Sequence, residues 1–406
     1  MRKQFKGAVA AMVALSFVAA ACGDDETTSD TKAPTETGAP ETTEATSETT
    51  EVVTETTEAT GDCAEVTPVK LQLQWVTQAQ FAGYYAAVEE GYYEAMCLDV
   101  TILEGAVDIT PQTVLANGDA DFAISWVPKA LASREAGADI VDIAQVFQRS
   151  GTLQVSFADS GITSPADYVG KNIGNWGYGN EFEVFAAMTK AGIDPASVNN
   201  VAQQFDMVGL LEGDIDAAEA MTYNEYAQVL EAVNPETGEL YTPEDFNVIS
   251  YEDEGVGMLQ DAIWADGTRL GDEAYKATAI SFVAASLQGW AYCRDNVDAC
   301  AELVTAQGSA LGLTHQTWQM NEVNKLIWPA EGGVGFIDAA AWDRTAQLSQ
   351  ETKNLEGSTV LTAAPDDGAY TNDIVTAAHA LLEEMGIDIF GADYAPIEVT
   401  LTEGGV

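Results

Sequence analysis

Basic residues and histidines are scarce in this sequence. Its 406 residues include 16 lysines and arginines against 65 aspartates and glutamates, a formal net charge of −49, and only two histidines. Affinity for phosphate backbones comes from clustered Lys and Arg, so the charge argues against nucleic acid as a partner. It equally argues against a polyanionic ligand, unless a rare basic residue lies directly on it. His315 and His379 leave little room for histidine-based catalysis or a metal site, and we expect neither metal nor cofactor.

Apolar residues, in contrast, are plentiful enough for a folded core. The chain is 47% hydrophobic and carries eight Trp, fourteen Tyr and thirteen Phe. At roughly 100–200 residues per domain, about two to three folding units are allowed. The negative charge is therefore interpreted as a solubility device, suited to saline surroundings, rather than as a recognition device.

The N-terminal segment 1–22 has the pattern of a bacterial export signal. Three basic residues precede an apolar stretch of about 15 residues, which is too short to span a bilayer that needs about 20 helical residues. The stretch ends at Cys22 and resembles a lipoprotein signal, in which this cysteine is lipidated and becomes the mature N-terminus. The alternative is an ordinary secretion signal that ends in small residues.

Residues 23–62 consist almost entirely of Thr, Glu, Ser, Asp, Ala and Pro, and they contain no aromatic residue. Such a segment cannot bury enough apolar surface to fold, so it predicts a disordered tether. Its expected reach is roughly 35 Å. We therefore expect a monomeric body, anchored by lipid on the outer face of the cell membrane.

Four further cysteines predict two disulfides in an oxidising compartment. Cys63 precedes the first predicted strand and Cys97 the second. Because adjacent parallel strands start side by side, these two cysteines should pair. Cys293 and Cys300 would lie about 10 Å apart on one continuous helix, so their bond requires a helix break at residues 295–296. The alternatives are four free thiols or a zinc site.

Short apolar strands alternate with amphipathic helices, a pattern that predicts α/β architecture with parallel sheets. Two extended segments in succession, 140–147 and 154–157, interrupt the pattern and indicate a crossing into a second lobe. We expect one lobe over 63–150 and 258–406 and the other over 151–257. The predicted strands are 69–76, 98–103, 121–125, 172–176, 201–204, 217–221, 247–251 and 258–265, with a late extended segment at 398–401. The predicted helices are 79–90, 109–117, 128–136, 181–191, 206–212, 224–233, several within 272–325, and 372–385 as the one clear helix of the tail.

Aromatic and amide side chains follow four of the predicted strands, in segments 74–85, 125–128, 175–182 and 221–226. Ligands of open α/β sheets bind at the carboxyl ends of strands. Indole and phenol rings stack on flat rings, and amides offer both donors and acceptors. The pattern therefore predicts a cleft for a flat, uncharged, heteroaromatic ligand.

Several of these residues also fit purely structural roles. Trp75 and Trp126 fit core positions. The T-x-x-E spacing of Thr222 and Glu225 fits a helix capping box, and Asn180 with Glu183 fits another cap. Two glycines, at 177 and 179, resemble half of a phosphate loop, but the acidic residues that follow would repel phosphate.

Longer motifs resemble the solute-binding proteins of ABC importers. These are LQLQWVTQAQFAGYYAA at 71–87, EEGYY at 89–93, GNEFE at 179–183, MTYNE at 221–225 and NEVNKLIWP at 321–329. The resemblance covers about residues 68–404. It is to the group related to thiamine-pyrimidine precursor binding and synthesis, and most closely to the riboflavin-binding lipoproteins of bacterial riboflavin importers.

The resemblance implies a two-lobed, periplasmic-binding-protein-like fold of type II, with a mostly parallel sheet in each lobe and two crossover strands. It implies capture of riboflavin, delivery to an ABC permease, and no covalent change. The alternative ligand is a thiamine pyrimidine precursor, although segment 76–80 departs from the element usual in binders of that ligand. The implied ligand-binding residues are Trp75, Gln78, Gln80, Phe81, Tyr84 and Trp126 in one lobe, and Trp176, Tyr178, Asn180, Glu181, Tyr223, Asn224 and Glu225 in the other.

An enzyme is the alternative from a different functional class. Relatives of this fold in thiamine synthesis use a self-sacrificing histidine and a cysteine-rich iron motif. Here both histidines lie beyond residue 300, and the sequence has no cysteine cluster. We therefore expect a binding protein. An adhesive surface lipoprotein would leave the aromatic strand ends unexplained.

Overall fold

The structure is a computed structural model that describes Cys63 and residues 65–405. The predicted export signal, Cys22 and the predicted tether lie outside the described residues. The strands are β1 Thr67–Gln72, β2 Leu98–Leu103, β3 Phe122–Trp126, β4 Ile140–Gln145, β5 Thr152–Phe157, β6 Asn172–Asn175, β7 Asn199–Ala202, β8 Ala218–Met221, β9 Phe246–Ser250 and β10 Asp261–Asp266. The helices are α1 Ala82–Glu89, α2 Tyr92–Ala95, α3 Pro111–Ala116, α4 Val127–Glu135, α5 Phe182–Lys190, α6 Val208–Leu211, α7 Glu225–Leu230, α8 Glu273–Asp295, α9 Val297–Ala306, α10 Leu313–Ile327, α11 Ala339–Glu351 and α12 Asp373–Glu384.

Five strands form the sheet of the first lobe, in the order β2-β1-β3-β10-β4. β1 runs parallel to both β2 and β3, whereas β10 runs antiparallel to β3 and β4. Every residue of β3 and β4 is buried. This is the pattern of central strands that are covered on both faces, and it explains why their sequences do not alternate between apolar and exposed polar residues.

The second lobe contains two smaller sheets, β8-β5-β9 and β6-β7. β5 is antiparallel to both of its neighbours, and β6 is parallel to β7. A parallel bridge between Ile173 and Ala217 brings β6 beside the start of β8. The chain enters this lobe from β4 into β5 and returns from β9 into β10. The sheets are thus mixed rather than mostly parallel as predicted, because the reversed strands β5 and β10, which follow the two crossings, pair antiparallel with their neighbours.

Helices α1 and α8 pack so closely in the first lobe that they require glycine at the contact. A Cβ atom on Gly83 would lie 2.3 Å from the indole of Trp290, and one on Gly289 would lie 2.0 Å from the carbonyl oxygen of Gly83. Both distances are impossible for real atoms. The two glycines therefore set how near α1, which follows the first strand, lies to the long helix.

Two disulfides fasten the described residues, with the pairing that the sequence predicts. Cys63 is bonded to Cys97 next to the start of β2, and Cys293 is bonded to Cys300 across the junction of α8 and α9. The Cα atoms of each pair lie 5.6 Å apart. α8 ends at Asp295 and α9 begins at Val297, so the helix does break where the second bond requires it.

The C-terminal part differs most from the sequence prediction. α11 was not predicted, yet it is a regular helix whose first turn is capped by Asp338, which accepts a hydrogen bond from the backbone N–H of Ala341. The extended segment predicted at 398–401 forms no strand. Within the described residues, no helix is both long enough and apolar enough to cross a bilayer.

Candidate ligand-binding site

A cavity of about 450 Å³ opens where the strand ends of the two lobes face each other. Its volume lies within the range of roughly 300–1,000 Å³ that is typical of small-molecule sites. Side chains of both lobes line it. The predicted site residues among them are Trp75, Gln78, Gln80, Trp126, Trp176, Tyr178, Asn180, Tyr223, Asn224 and Glu225.

The first-lobe wall carries two indoles. β1 ends at Gln72 rather than at residue 76, so the chain has left the sheet when it reaches Trp75, whose half-buried ring lines the cavity. Trp126 is the last residue of β3 and is only 8% exposed, yet it also lines the cavity. Its Nε1 donates a 2.7 Å hydrogen bond to Asp261. The core position considered for Trp126 and its position in the wall are therefore compatible.

Aromatic rings of the two lobes touch at one side of the cavity. Trp176, which follows β6, stacks on Phe205 with ring centroids 6.2 Å apart and an interplanar angle of 15°. Phe205 also contacts Trp75 of the first lobe, at 4.8 Å and 49°. Sequence reasoning missed Phe205. It directly follows the strand predicted at 201–204, so the rule that found the other aromatic residues would also have found this one.

The loop after Trp176 is held in an unusual conformation. Gly177, Tyr178 and Gly179 have φ angles of 68°, 55° and 86°, and this left-handed region is strained for tyrosine. The Tyr178 side chain is 80% exposed at the cavity edge. Strain of this kind is frequently found at binding sites. Glu181 accepts a 2.8 Å hydrogen bond from the Gly179 N–H, so it supports the loop instead of lining the cavity, contrary to its predicted role.

A lysine that sequence reasoning did not identify lies at the junction of the lobes. Lys129, on α4, donates a 2.7 Å hydrogen bond to Asn180 Oδ1 in the second lobe, and its Nζ lies 4.8 Å from the ring centroid of Trp126. Burial lowers the pKa of Lys129 to about 8, although the negative charges of Glu181 and Asp261 favour the charged form. The cavity wall therefore contains a lysine whose charged form is disfavoured by burial and favoured by neighbouring carboxylates.

The segment after β8 is fixed by polar contacts. Asn224 donates to Glu225 Oε1 at 2.7 Å, and its Oδ1 lies 2.9 Å from His315 Nε2. Glu225 Oε2 accepts from the Met221 N–H at 3.0 Å, and burial raises the pKa of Glu225. The capping box of Thr222 with Glu225 is therefore not formed. Nor does Glu183 act as a cap, since it accepts from Ser150 Oγ and the Met258 N–H.

Phe81 and Tyr84 do not line the cavity, which corrects their predicted role. Both are buried in the core of the first lobe, and the Tyr84 ring meets Trp290 edge-on at 5.6 Å. A short 3₁₀ turn over 79–81 leads directly into α1. Tyr84 lies on the side of α1 that packs on α8, whereas Gln80 of the same turn lines the cavity.

Unpartnered polar atoms mark the cavity wall. Trp176 Nε1 and Gln112 Oε1 belong to lining residues and are buried without a hydrogen-bond partner among the described residues. Such groups are uncommon in folded proteins and need an explanation. The same part of the chain contains no group of three or more His, Cys, Asp or Glu that could hold a metal ion. The wall is therefore suited to stacking a flat ring and to hydrogen bonding at its edge.

Three curated proteins resemble the chain over parts of its length. The formylaminopyrimidine-binding protein of Halalkalibacterium halodurans is 26% identical over 68% of this chain and 82% of that protein. The riboflavin-binding protein RibY of Chloroflexus aurantiacus is 26% identical over 76% of this chain and 86% of that protein. The 4-amino-5-hydroxymethyl-2-methylpyrimidine phosphate synthase of Legionella pneumophila is 25% identical over 36% of this chain and 46% of that protein.

Solved structures confirm the fold prediction. The periplasmic sulfonate-binding protein SsuA of Methylobacillus flagellatus superposes with a TM-score of 0.52 at 16% identity, covering 83% of this chain and 99% of that one. The α/β fold is therefore the periplasmic-binding-protein-like fold. The profile of the family described as NMT1/THI5 like matches residues 78–299, more than half of the sequence. The chain thus belongs to the NMT1/THI5-like family.

Proposed function

We propose that this protein is the solute-binding component of an ABC importer and that it captures riboflavin in the cavity between its lobes. One observation carries the proposal: aromatic and amide side chains from strand ends of both lobes line a single cavity of about 450 Å³. A ligand held there would be contacted from both lobes at once, as delivery to a permease by a closing clamp requires.

The wall chemistry supports a large, flat and neutral ligand. The indoles of Trp75, Trp126 and Trp176 offer stacking faces, and Gln78 offers an amide. A three-ring isoalloxazine with its sugar-alcohol chain would use more of the 450 Å³ than a single pyrimidine ring would. The relative named for riboflavin binding, which is similar over 86% of its length, supports the same ligand.

A thiamine pyrimidine precursor is the second candidate ligand. It is supported by the relative named for formylaminopyrimidine binding, which is as similar to this chain as the riboflavin-binding relative is. A single ring would have to occupy one part of the cavity only. An enzyme of thiamine synthesis is less well supported, because His315 lies behind Asn224, bonded to it and to Glu231, rather than on the cavity wall.

The proposed setting is the outer face of the cell membrane. Lipidation of Cys22 would anchor the chain, and residues 23–62 would tether a monomeric body within reach of its permease. This part of the proposal depends on the signal-like pattern of residues 1–22 and on the two disulfides of the body, since such bonds persist in oxidising compartments.

Calorimetric titration of the purified protein tests the ligand proposal. The panel is riboflavin, flavin mononucleotide, thiamine and a hydroxymethyl aminopyrimidine. We expect riboflavin to bind most tightly. The mononucleotide should bind more weakly, because its phosphate would enter a strongly acidic protein in which Lys129 of the cavity wall is already bonded to Asn180 and lies near Glu181 and Asp261. If the protein binds the pyrimidine but not riboflavin, the ligand assignment passes to the second candidate. If it binds neither compound, both ligand assignments are refuted.

A further inference from the structure

A buried carboxylate lies directly behind the first-lobe wall. Asp261 begins β10, between β3 and β4, and is 2% exposed. Its Oδ1 accepts hydrogen bonds from Trp126 Nε1 at 2.7 Å and from Gln74 Nε2 at 2.5 Å. Its Oδ2 accepts from Gln80 Nε2 at 2.9 Å. All three donors belong to residues that line the cavity, whereas Asp261 itself does not.

These contacts fix the direction of a chain of amides. Above its pKa of about 7, Asp261 is ionised and only accepts hydrogen bonds, so Gln80 turns its NH₂ group towards Asp261. The carbonyl oxygen of Gln80 then points the other way and accepts from Gln78 Nε2 at 2.7 Å. One N–H of Gln78 is thereby directed at Gln80, and Oε1 is the acceptor of its amide that remains for the cavity it lines.

We infer that Asp261 acts as a specificity-determining residue without touching the ligand. By orienting Gln80, it makes Gln78 present a carbonyl oxygen, so the bound ring must offer an N–H donor at that point. The inference rests on the proposed function and deepens it. Riboflavin carries one ring N–H, at N3, between two carbonyl groups, and that group is the assigned partner of Gln78 Oε1.

Burying the carboxylate of Asp261 is energetically unfavourable, so its hydrogen bonds must offset a cost. Burial raises the pKa of Asp261 to about 7, against the opposing effect of the hydrogen bonds from Gln80 and Trp126. An apolar or amide residue in the same strand would avoid that penalty. Only a carboxylate accepts hydrogen bonds on both of its oxygens. It therefore fixes a single orientation for the side-chain amides of Gln80 and Gln78.

Asp261→Asn tests the inference because it preserves the shape of the side chain. Trp126 can only donate, so the asparagine must keep its oxygen on that side and turn its NH₂ group towards Gln80. Gln80 and then Gln78 must rotate their amides, and the cavity meets an N–H in place of an oxygen. Asp142→Asn is the matched control, since Asp142 is also fully buried, in the neighbouring strand β4, and does not line the cavity.

The readout is the affinity for riboflavin and for 3-methylriboflavin, which lacks the N3–H, with the melting temperature of each variant as a check on folding. Asp261→Asn should weaken riboflavin binding about tenfold, because the hydrogen bond between N3–H and Gln78 is replaced by two N–H donors that face each other. It should change 3-methylriboflavin binding less than twofold. The control should change neither. An equal loss for both ligands, or no loss for either, would overturn the inference while leaving riboflavin capture intact.

A second variant keeps the test decisive if Asp261→Asn does not fold. Gln78→Met preserves the length of the side chain and removes the amide. This variant should show the same selective loss of riboflavin affinity. If the selective loss is not observed, the inference is overturned. If the unaltered protein binds neither flavin, the proposed function fails together with the inference. That outcome differs from every outcome in which riboflavin binds.

Discussion

Replacing Trp75 by alanine should weaken riboflavin binding without unfolding the protein. Trp75 lies outside the sheet, is half-buried and lines the cavity, and it has a ring contact with Phe205 of the other lobe. The substitution therefore removes a wall of the cavity rather than part of the core. Trp176 is more deeply buried, at 5% exposure, so its removal would mix loss of binding with loss of stability.

The expected loss follows from one indole face. Covering about 50 Å² of apolar surface contributes roughly 1.3 kcal/mol at about 25 cal/mol per Å². Stacking of two aromatic rings adds about 1 kcal/mol. The total of about 2 kcal/mol corresponds to a dissociation constant raised about 30-fold.

Quenching of riboflavin fluorescence on titration with protein measures both the affinity and the stacking. Tyr92→Ala is the matched control, because Tyr92 is also half-buried and in a ring pair, with Tyr292 at 6.4 Å, but does not line the cavity. Trp75→Ala should lose affinity and part of the quenching, while the control keeps both. Affinity of Trp75→Ala within twofold of the unaltered protein would refute the stacking role.

Three further predictions concern the anchor, the buried carboxylate of Asp261 and the net charge. Cys22→Ser should release the protein from membranes into the soluble fraction, and retention on the membrane would contradict the lipid anchor. Asp261 in the folded state holds its proton up to a pKa of about 7, against 3.8 for the free group, so the free energy of unfolding should fall as pH rises between about 4 and 7. The contribution of Asp261 to this decrease is roughly 4 kcal/mol. Denaturant titration at pH 5 and pH 7.5 should show the decrease in the unaltered protein and a smaller decrease in Asp261→Asn. Stability that rises with pH across this window would contradict the burial of a costly carboxylate. Raising NaCl from 0.1 M to 1 M shortens the Debye length from about 10 Å to about 3 Å. The melting temperature should rise, because the salt screens repulsion among the 65 acidic residues. An unchanged melting temperature would contradict the idea that this repulsion destabilises the protein.

The sequence was sufficient to predict most of the strands and helices and the place of the cavity. Alternation of strand and helix is a local pattern, and ligands of such folds meet the carboxyl ends of strands, so Trp126, Trp176 and Tyr223 could be placed without coordinates. Apolar periodicity also set the strand positions to within a few residues. It could not show that β1 stops at Gln72, which brings Trp75 out of the sheet and onto the wall.

The errors share one physical cause, which is that local sequence does not specify which side of an element faces which neighbour. Phe81 and Tyr84 follow the same strand as Trp75 but are buried in the core of the first lobe, where Tyr84 packs on Trp290 of α8. Glu181 looked like a wall residue and instead supports its own loop. Asp261 is far along the chain from Gln80, so only the pairing of β10 with β3 brings it behind the wall.

The crystal structure of the protein grown with riboflavin tests the central claim most directly. The proposed function predicts the isoalloxazine ring inside the cavity, with an indole of each lobe in contact with it and its N3–H directed at Gln78 Oε1. Flavin density outside the cavity, or a cavity that stays closed to riboflavin and takes up the pyrimidine precursor instead, would contradict it.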